Sequence, residues 1–171
     1  GDYGWIEEPG YRNAKSALQA GELNVVPIRT DDQGMAPEPE HWKQAPPRLI
    51  YTTPTHQYPT GVVMSAARRL ALIAAAQQHQ AWIIEDDYDG DFHYHGEPVM
   101  AMQGMTDNAP VIYLGSFSKT LFPALRIGFM VLPAPLVRRF RCWAATAVCI
   151  WCCHSILIGM TSRFPAHCSR R

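Results

Sequence analysis

Ala81-Trp82-Ile83-Ile84-Glu85-Asp86-Asp87-Tyr88-Asp89-Gly90-Asp91 joins four apolar residues to a stretch of seven that holds five acids and one tyrosine. An apolar run this short, entering a polar loop, reads as a buried strand. The pattern recurs on both sides. Upstream, Leu49-Ile50-Tyr51-Thr52 opens into the Pro- and Gly-punctuated residues 53–61, and downstream Val111-Ile112-Tyr113-Leu114 opens into Gly115-Ser116-Phe117-Ser118-Lys119. Between the first two runs, Ser65 can cap a helix from Ala66 to about Gln80. Its Leu70, Ile73 and Ala74 recur at helical spacing while Arg68, Arg69 and Gln78 take other faces. Residues 127–132 make a further strand. Toward the N-terminus, residues 11–20 read as a helix stopped by Gly21, residues 23–28 as a strand, and the polar, Pro-rich residues 30–47 as a long connection. Strand, helix, strand order with continuous apolar strands predicts an α/β domain, its sheet largely parallel and flanked by helices on both faces.

Composition agrees with a globular body. The 171 residues are 47% hydrophobic, which excludes fibrous and wholly disordered classes. Fifteen bases balance fifteen acids, so no global field draws in nucleic acid or an anionic membrane. The balance is local, however: residues 1–107 hold all fifteen acids and seven bases, and residues 108–171 hold eight bases and no acid. All five cysteines (Cys142, Cys149, Cys152, Cys153 and Cys168) lie in the last 30 residues, so a reducing, cytoplasmic setting is expected for a body stabilised by its core alone. Gly1-Asp2-Tyr3-Gly4-Trp5 has neither the charge nor the apolar stretch of a secretory signal, and the start looks cut.

No metal site is expected. His56, His93 and His95 lack a helix-spaced pair, and Cys149-x-x-Cys152-Cys153-His154 lacks a second pair of ligands. Residues 144–160 are apolar but short for a bilayer and interrupted by His154, so no membrane span is expected either. Residues 138–171 form an atypical Cys- and Arg-rich tail. A basic patch for nucleic acid is one reading of it, and an out-of-frame translation is the other.

Ligands of open α/β sheets bind beyond the carboxyl ends of the strands, where loops converge and helix N-termini point. Three loops meet there. One brings His56, Gln57 and Tyr58, the next Asp86 and Tyr88, the third Ser116, Ser118 and Lys119, with Arg126 following. A carboxylate, a lysine, a phenol, two hydroxyls and an arginine are the parts needed to hold a phosphorylated pyridine aldehyde. Lys119 is the candidate amine, able to form an imine with the aldehyde. Asp86 can keep the ring nitrogen protonated, and Ser116, Ser118 and Arg126 suit a phosphate. Singly, each has an ordinary alternative: Lys119 as a solvated loop residue, Asp86 as a helix cap, Tyr88 as a packed aromatic, Arg126 as a surface ion-pair partner. Only a shared crevice joins them.

Thr52-Thr53-Pro54-Thr55-His56-Gln57-Tyr58-Pro59-Thr60-Gly61, Glu85-Asp86-Asp87-Tyr88-Asp89-Gly90-Asp91-Phe92 and Gly115-Ser116-Phe117-Ser118-Lys119 carry a resemblance. The sequence resembles fold-type I pyridoxal-phosphate proteins of the class I/II aminotransferase group. More narrowly, it is similar to the effector domain of MocR-type regulators of the GntR superfamily, in which a winged-helix DNA-binding domain precedes an aminotransferase-like domain. The resemblance covers about residues 5–140. It implies pyridoxal 5'-phosphate as cofactor, Lys119 as the imine lysine, Asp86 at the pyridine nitrogen, Tyr88 at the ring hydroxyl and Arg126 at the phosphate. Ser116 and Ser118 flank the phosphate, and His56 and Tyr58 belong to the cofactor wall. Tyr58 departs from the Asn that many aminotransferases place before this proline. The spacing of two between Asp86 and Tyr88 departs from the three usual in aspartate-type enzymes, and favours the MocR-like branch.

The resemblance further implies that residues 1–137 are the central part of a large domain, without its upstream cofactor loop or its downstream small domain. An amino acid or amine is the expected substrate or effector. A homodimer is expected of the full-length parent, and DNA contact only through an upstream domain. Three functions compete: a sensor that stops at exchange of the imine, an aminotransferase that moves an amino group from an amino acid to a 2-oxo acid, and a truncated relic that does neither.

Overall fold

The computed structural model describes residues 1–89, 99–116 and 128–137, together with the backbone of 149–152 and 155–158. The described strands form one sheet in the order β3-β2-β1-β4-β5-β6-β7-β9-β8. Its middle is parallel: β2 (Asn24–Asp31), β1 (Tyr3–Glu8), β4 (Pro47–Thr52), β5 (Trp82–Asp87) and β6 (Val111–Ser116) run side by side in one direction. Antiparallel strands close both margins, with β3 (Gly34–Met35) on one side and β7 (Gly128–Val131), β9 (Ser155–Ile158) and β8 (Cys149–Cys152) on the other.

The middle of the sheet carries apolar residues on both faces, as strands covered by helices on both sides do. Trp5, Ile50, Ile83 and Val111, neighbours in register, face one core together with Leu72, Ile73 and Ala76 of α3 (Ala66–Gln78) and Met102 of α4 (Met102–Met105). Trp42 of α2 (Pro39–Gln44) packs against that core, and the Trp5 indole N–H donates to Ala45 O at 2.9 Å. On the opposite face, Ile6 and Tyr51 meet Ala14 and Leu18 of α1 (Arg12–Ala20). A last short helix, α5 (Ala134–Val137), follows β7. Among the described residues no helix is long and apolar enough to cross a membrane.

Several sequence expectations are corrected here. Residues 30–47 are more than a connection: β3 and α2 lie within them, and α2 starts with Pro39 in its first turn and a reciprocal Glu38–His41 capping box. Strand β1 is unexpected because Gly4, Glu7 and Glu8 break its apolar pattern. Helix α3 begins at the expected cap, Ser65 Oγ accepting Arg68 N at 3.2 Å, and ends at Gln78. Its buried stripe is rotated by one position: Leu70 is 43% exposed while Arg69 is fully buried. Arg69 is drawn inward by three backbone carbonyls, Pro54 O at 2.8 Å, Met64 O at 3.0 Å and Met100 O at 3.1 Å, which together satisfy its guanidinium. Strand β5 also runs three residues farther than its apolar run, to Asp87. Glu85, Asp86 and Asp87 therefore alternate across the sheet instead of sharing one loop.

Candidate functional site

Strands β1, β4, β5 and β6 all end at one edge, with Glu8, Thr52, Asp87 and Ser116 as their last residues. Asp86 projects to the α1 face of that edge, and the Tyr51 hydroxyl of β4 donates to its Oδ2. Burial raises the Asp86 proton affinity above the ordinary aspartate value. Tyr51 opposes that shift, while Asp87 and Asp89 add to it. Tyr51 itself is pushed well above the usual phenol range, first by burial and then by the Asp86 charge.

Tyr88, two residues beyond Asp86, is pushed up to about 12 by burial and by the carboxylates of Asp89 and Asp86. Its ring lies edge-on to Tyr58, centroids 6.5 Å apart at 84°, and Tyr58 meets Tyr11 in the same way at 5.7 Å and 83°. The two outer rings are half open, Tyr58 at 47% and Tyr11 at 41% exposure. His56 Nδ1 lies 2.9 Å from Asp89 Oδ1, tying residues 53–61 to the segment after β5.

The loop holding His56 and Tyr58 is organised from inside. Gln57 is buried, its side-chain oxygen accepting from Thr60 N at 3.2 Å and Thr60 Oγ1 at 2.6 Å. On the far face, Glu85 accepts from the backbone of Met102 at 2.9 Å and Gln103 at 3.1 Å, and lies 3.7 Å from Arg69 Nη1. This buried pair binds the start of α4, the 53–64 segment and β5 into one support beneath the edge. Glu85 is raised above its ordinary value by burial, with the two backbone donors and Arg69 opposing.

Of the residues expected at the site, His56, Tyr58, Asp86 and Tyr88 are brought together, and Ser116 ends the neighbouring strand, half-buried. Ser118, Lys119 and Arg126 lie outside the described residues. Gln57, expected in the same loop, is turned inward, while Tyr51, Tyr11 and Glu7 belong to the same edge and were not anticipated. A tyrosine inside an apolar run reads as core, and only its place one strand from Asp86 reveals its hydroxyl's partner.

A family model described as aminotransferase class I and II matches residues 1–162. The probable rhizopine catabolism regulatory protein MocR of Rhizobium meliloti is 45% identical over 141 residues, which is 82% of this chain and 28% of that protein. The HTH-type transcriptional regulator YdeL of Bacillus subtilis is 45% identical over 133 residues, 78% of this chain and again 28% of the regulator. Among solved structures, the kynurenine aminotransferase of Pyrococcus horikoshii, crystallised in complex with PMP, superposes with a TM-score of 0.75 at 35% identity, covering 81% of this chain and 36% of that one. The chain thus spans well under half the length of the proteins it matches.

Proposed function

Because the chain belongs to the aminotransferase class I and II family and is similar to MocR-type regulators, we propose that residues 1–137 are part of a pyridoxal-phosphate-binding, effector-sensing domain. The observation that carries this reading is Asp86, offered at the sheet edge by β5 and oriented by the Tyr51 hydroxyl, with Tyr88 two residues beyond. The described residues fit the group by their chemistry. Burial and two neighbouring aspartates disfavour the Asp86 charge, and a protonated aromatic nitrogen is a cationic partner that restores it.

Pyridoxal phosphate, when bound, supplies a reactive aldehyde on a ring that accepts electrons through its protonated nitrogen. In this reading Asp86 holds the proton on that nitrogen, and Tyr51 holds Asp86. Tyr88 donates to the ring hydroxyl, and His56 and Tyr58 wall the ring from water. Lys119 provides the amine that meets the aldehyde, and Ser116, Ser118 and Arg126 bind the phosphate. An amino acid or amine entering the site is the effector. DNA is reached through another domain of the parent regulator, a cytoplasmic homodimer. The 35% identity to the kynurenine aminotransferase favours a second reading, in which Lys119 also moves the proton at the substrate α-carbon and the domain is a transaminase.

Titration of the purified chain with pyridoxal phosphate tests the proposal. The expected result is an absorbance change that Lys119→Ala abolishes, with borohydride reduction fixing the label on Lys119. Label on Lys15 or Lys43, the other two lysines, overturns the assignment. Turnover of a 2-oxo acid in the presence of an amino acid separates the enzyme from the sensor.

A further inference from the structure

Glu7, one residue before the end of β1, is 2% exposed and has no part in the chemistry above. Four hydrogen bonds converge on its carboxylate: Thr52 Oγ1 donates to Oε1 at 2.5 Å, while Oε2 accepts from Thr53 N at 3.2 Å, Thr53 Oγ1 at 2.8 Å and Gln57 Nε2 at 3.2 Å. Two of these partners grip Tyr58. Thr53 Oγ1 accepts from Tyr58 N at 3.0 Å, and Gln57 Nε2 donates to Tyr58 O at 2.6 Å. The Tyr58 backbone is therefore held on one side by Thr53, which Glu7 orients, and on the other by Gln57, which Glu7 orients together with the Pro9 carbonyl at 2.8 Å, and its ring leans on Tyr88 and Tyr11.

An ionised carboxylate is costly to bury, and a neutral side chain would fill the space at less expense. What only the carboxylate offers is acceptance on both oxygens without a donor of its own, so every hydroxyl and amide around it must point inward. We infer that Glu7 is a positioning residue of the candidate site: through Thr53 and Gln57 it fixes Tyr58, and through Tyr58 the ring of Tyr88, against the pyridine end of the cofactor that Asp86 faces. The inference rests on the reading of this edge as a pyridoxal-phosphate site. The substrate-side consequence is that β1, far from Lys119 in sequence, sets the geometry of the cofactor wall.

The near-isosteric Glu7→Gln tests it, alone and combined with Tyr58→Ala, in the full chain. Glu7→Gln is expected to weaken pyridoxal-phosphate affinity about tenfold in the wild-type background and less than about twofold when Tyr58 is already Ala, as coupled neighbours do. Equal effects in both backgrounds, or no effect in either, overturn the inference. Leu72→Ala, in the core on the face of the sheet away from Asp86, is the stability control. An affinity loss there as large as that of Glu7→Gln reduces the effect to general destabilisation and overturns it as well. Hydrogen exchange on the cofactor-free chain supplies an arm independent of binding. Glu7→Gln is expected to speed exchange in residues 53–62 and leave residues 66–78 unchanged, and unchanged exchange in 53–62 is a refutation. Failure of the unsubstituted chain to bind pyridoxal phosphate removes the site reading, and the exchange arm still decides whether Glu7 fixes Tyr58.

Discussion

Tyr51 on β4 donates its hydroxyl to Asp86 on β5, two residues past its own register partner Ile84. The two residues are diagonal neighbours on one face of the sheet, a separation that a tyrosine spans. The pairing fixes the Asp86 carboxylate and opposes the upward shift that burial imposes on it.

Tyr51→Phe removes that donor and leaves the ring. Hydrogen bonds to charged groups contribute more than neutral ones, so a loss of about 1–3 kcal/mol is expected in urea unfolding at neutral pH. Asp86 then moves farther above its ordinary value, and pyridoxal-phosphate affinity falls because the carboxylate spends less time charged. Unchanged stability together with unchanged affinity would show that the hydroxyl does not hold Asp86.

Arg69 and Glu85 are both fully buried, and each is satisfied by backbone groups as well as by the other. Arg69→Met strands the Glu85 charge and frees the carbonyls of Pro54, Met64 and Met100, so a loss of about 3–5 kcal/mol is expected. Adding Glu85→Gln recovers part of it by removing the unpaired charge. Chemical denaturation of the single and double variants measures both, and no recovery in the double variant would contradict the pairing.

The parallel middle of the sheet was legible because β4, β5 and β6 carry short apolar runs that end in polar loops, and because Ser65 announces α3. Strand β1 was not. Glu7 looks like a solvent-facing residue until Thr52, Thr53 and Gln57, more than forty positions away, gather around it. The choice between Arg69 and Leu70 for the inner face of α3 was equally hidden, since it depends on carbonyls contributed by other segments. That His56, Tyr58, Asp86 and Tyr88 gather at one edge was legible because polar residues at strand ends converge in this architecture. Tyr51 and Tyr11 were missed for a complementary reason: an aromatic side chain in a sequence advertises its ring, and its hydroxyl acquires meaning only beside a partner.

Gly115 of β6 stands opposite Phe129 of β7, and a Cβ added there would come 2.2 Å from the tip of that ring. The ring lies across the glycine and reaches Tyr113, with centroids 5.8 Å apart, in the manner of an aromatic covering a gap in a strand. Gly115→Ala must displace Phe129, and overpacking of this kind costs about 1–3 kcal/mol. Since Ser116 follows immediately, weaker cofactor binding should accompany the fall in melting temperature. A variant with wild-type stability would mean that the ring moves aside freely.

Burial outweighs four hydrogen bonds at Glu7, so its carboxyl titrates above the ordinary value of 4.5 in the folded chain. A group whose folded value is raised contributes stability that is fully present below its unfolded value and is lost as pH rises through the folded one, because the native state then binds more protons than the unfolded state. Glu7→Gln removes this titration and leaves the others in place. The stability of the native sequence relative to Glu7→Gln should therefore be greatest at about pH 4, and should decline as pH rises across the interval above 4.5 until Glu7 is ionised in both states. Thermal unfolding of the two proteins from about pH 4 to about pH 8 measures the difference directly. A difference that stays flat would mean that the surrounding donors offset burial completely, and one that grows with pH would mean that they exceed it.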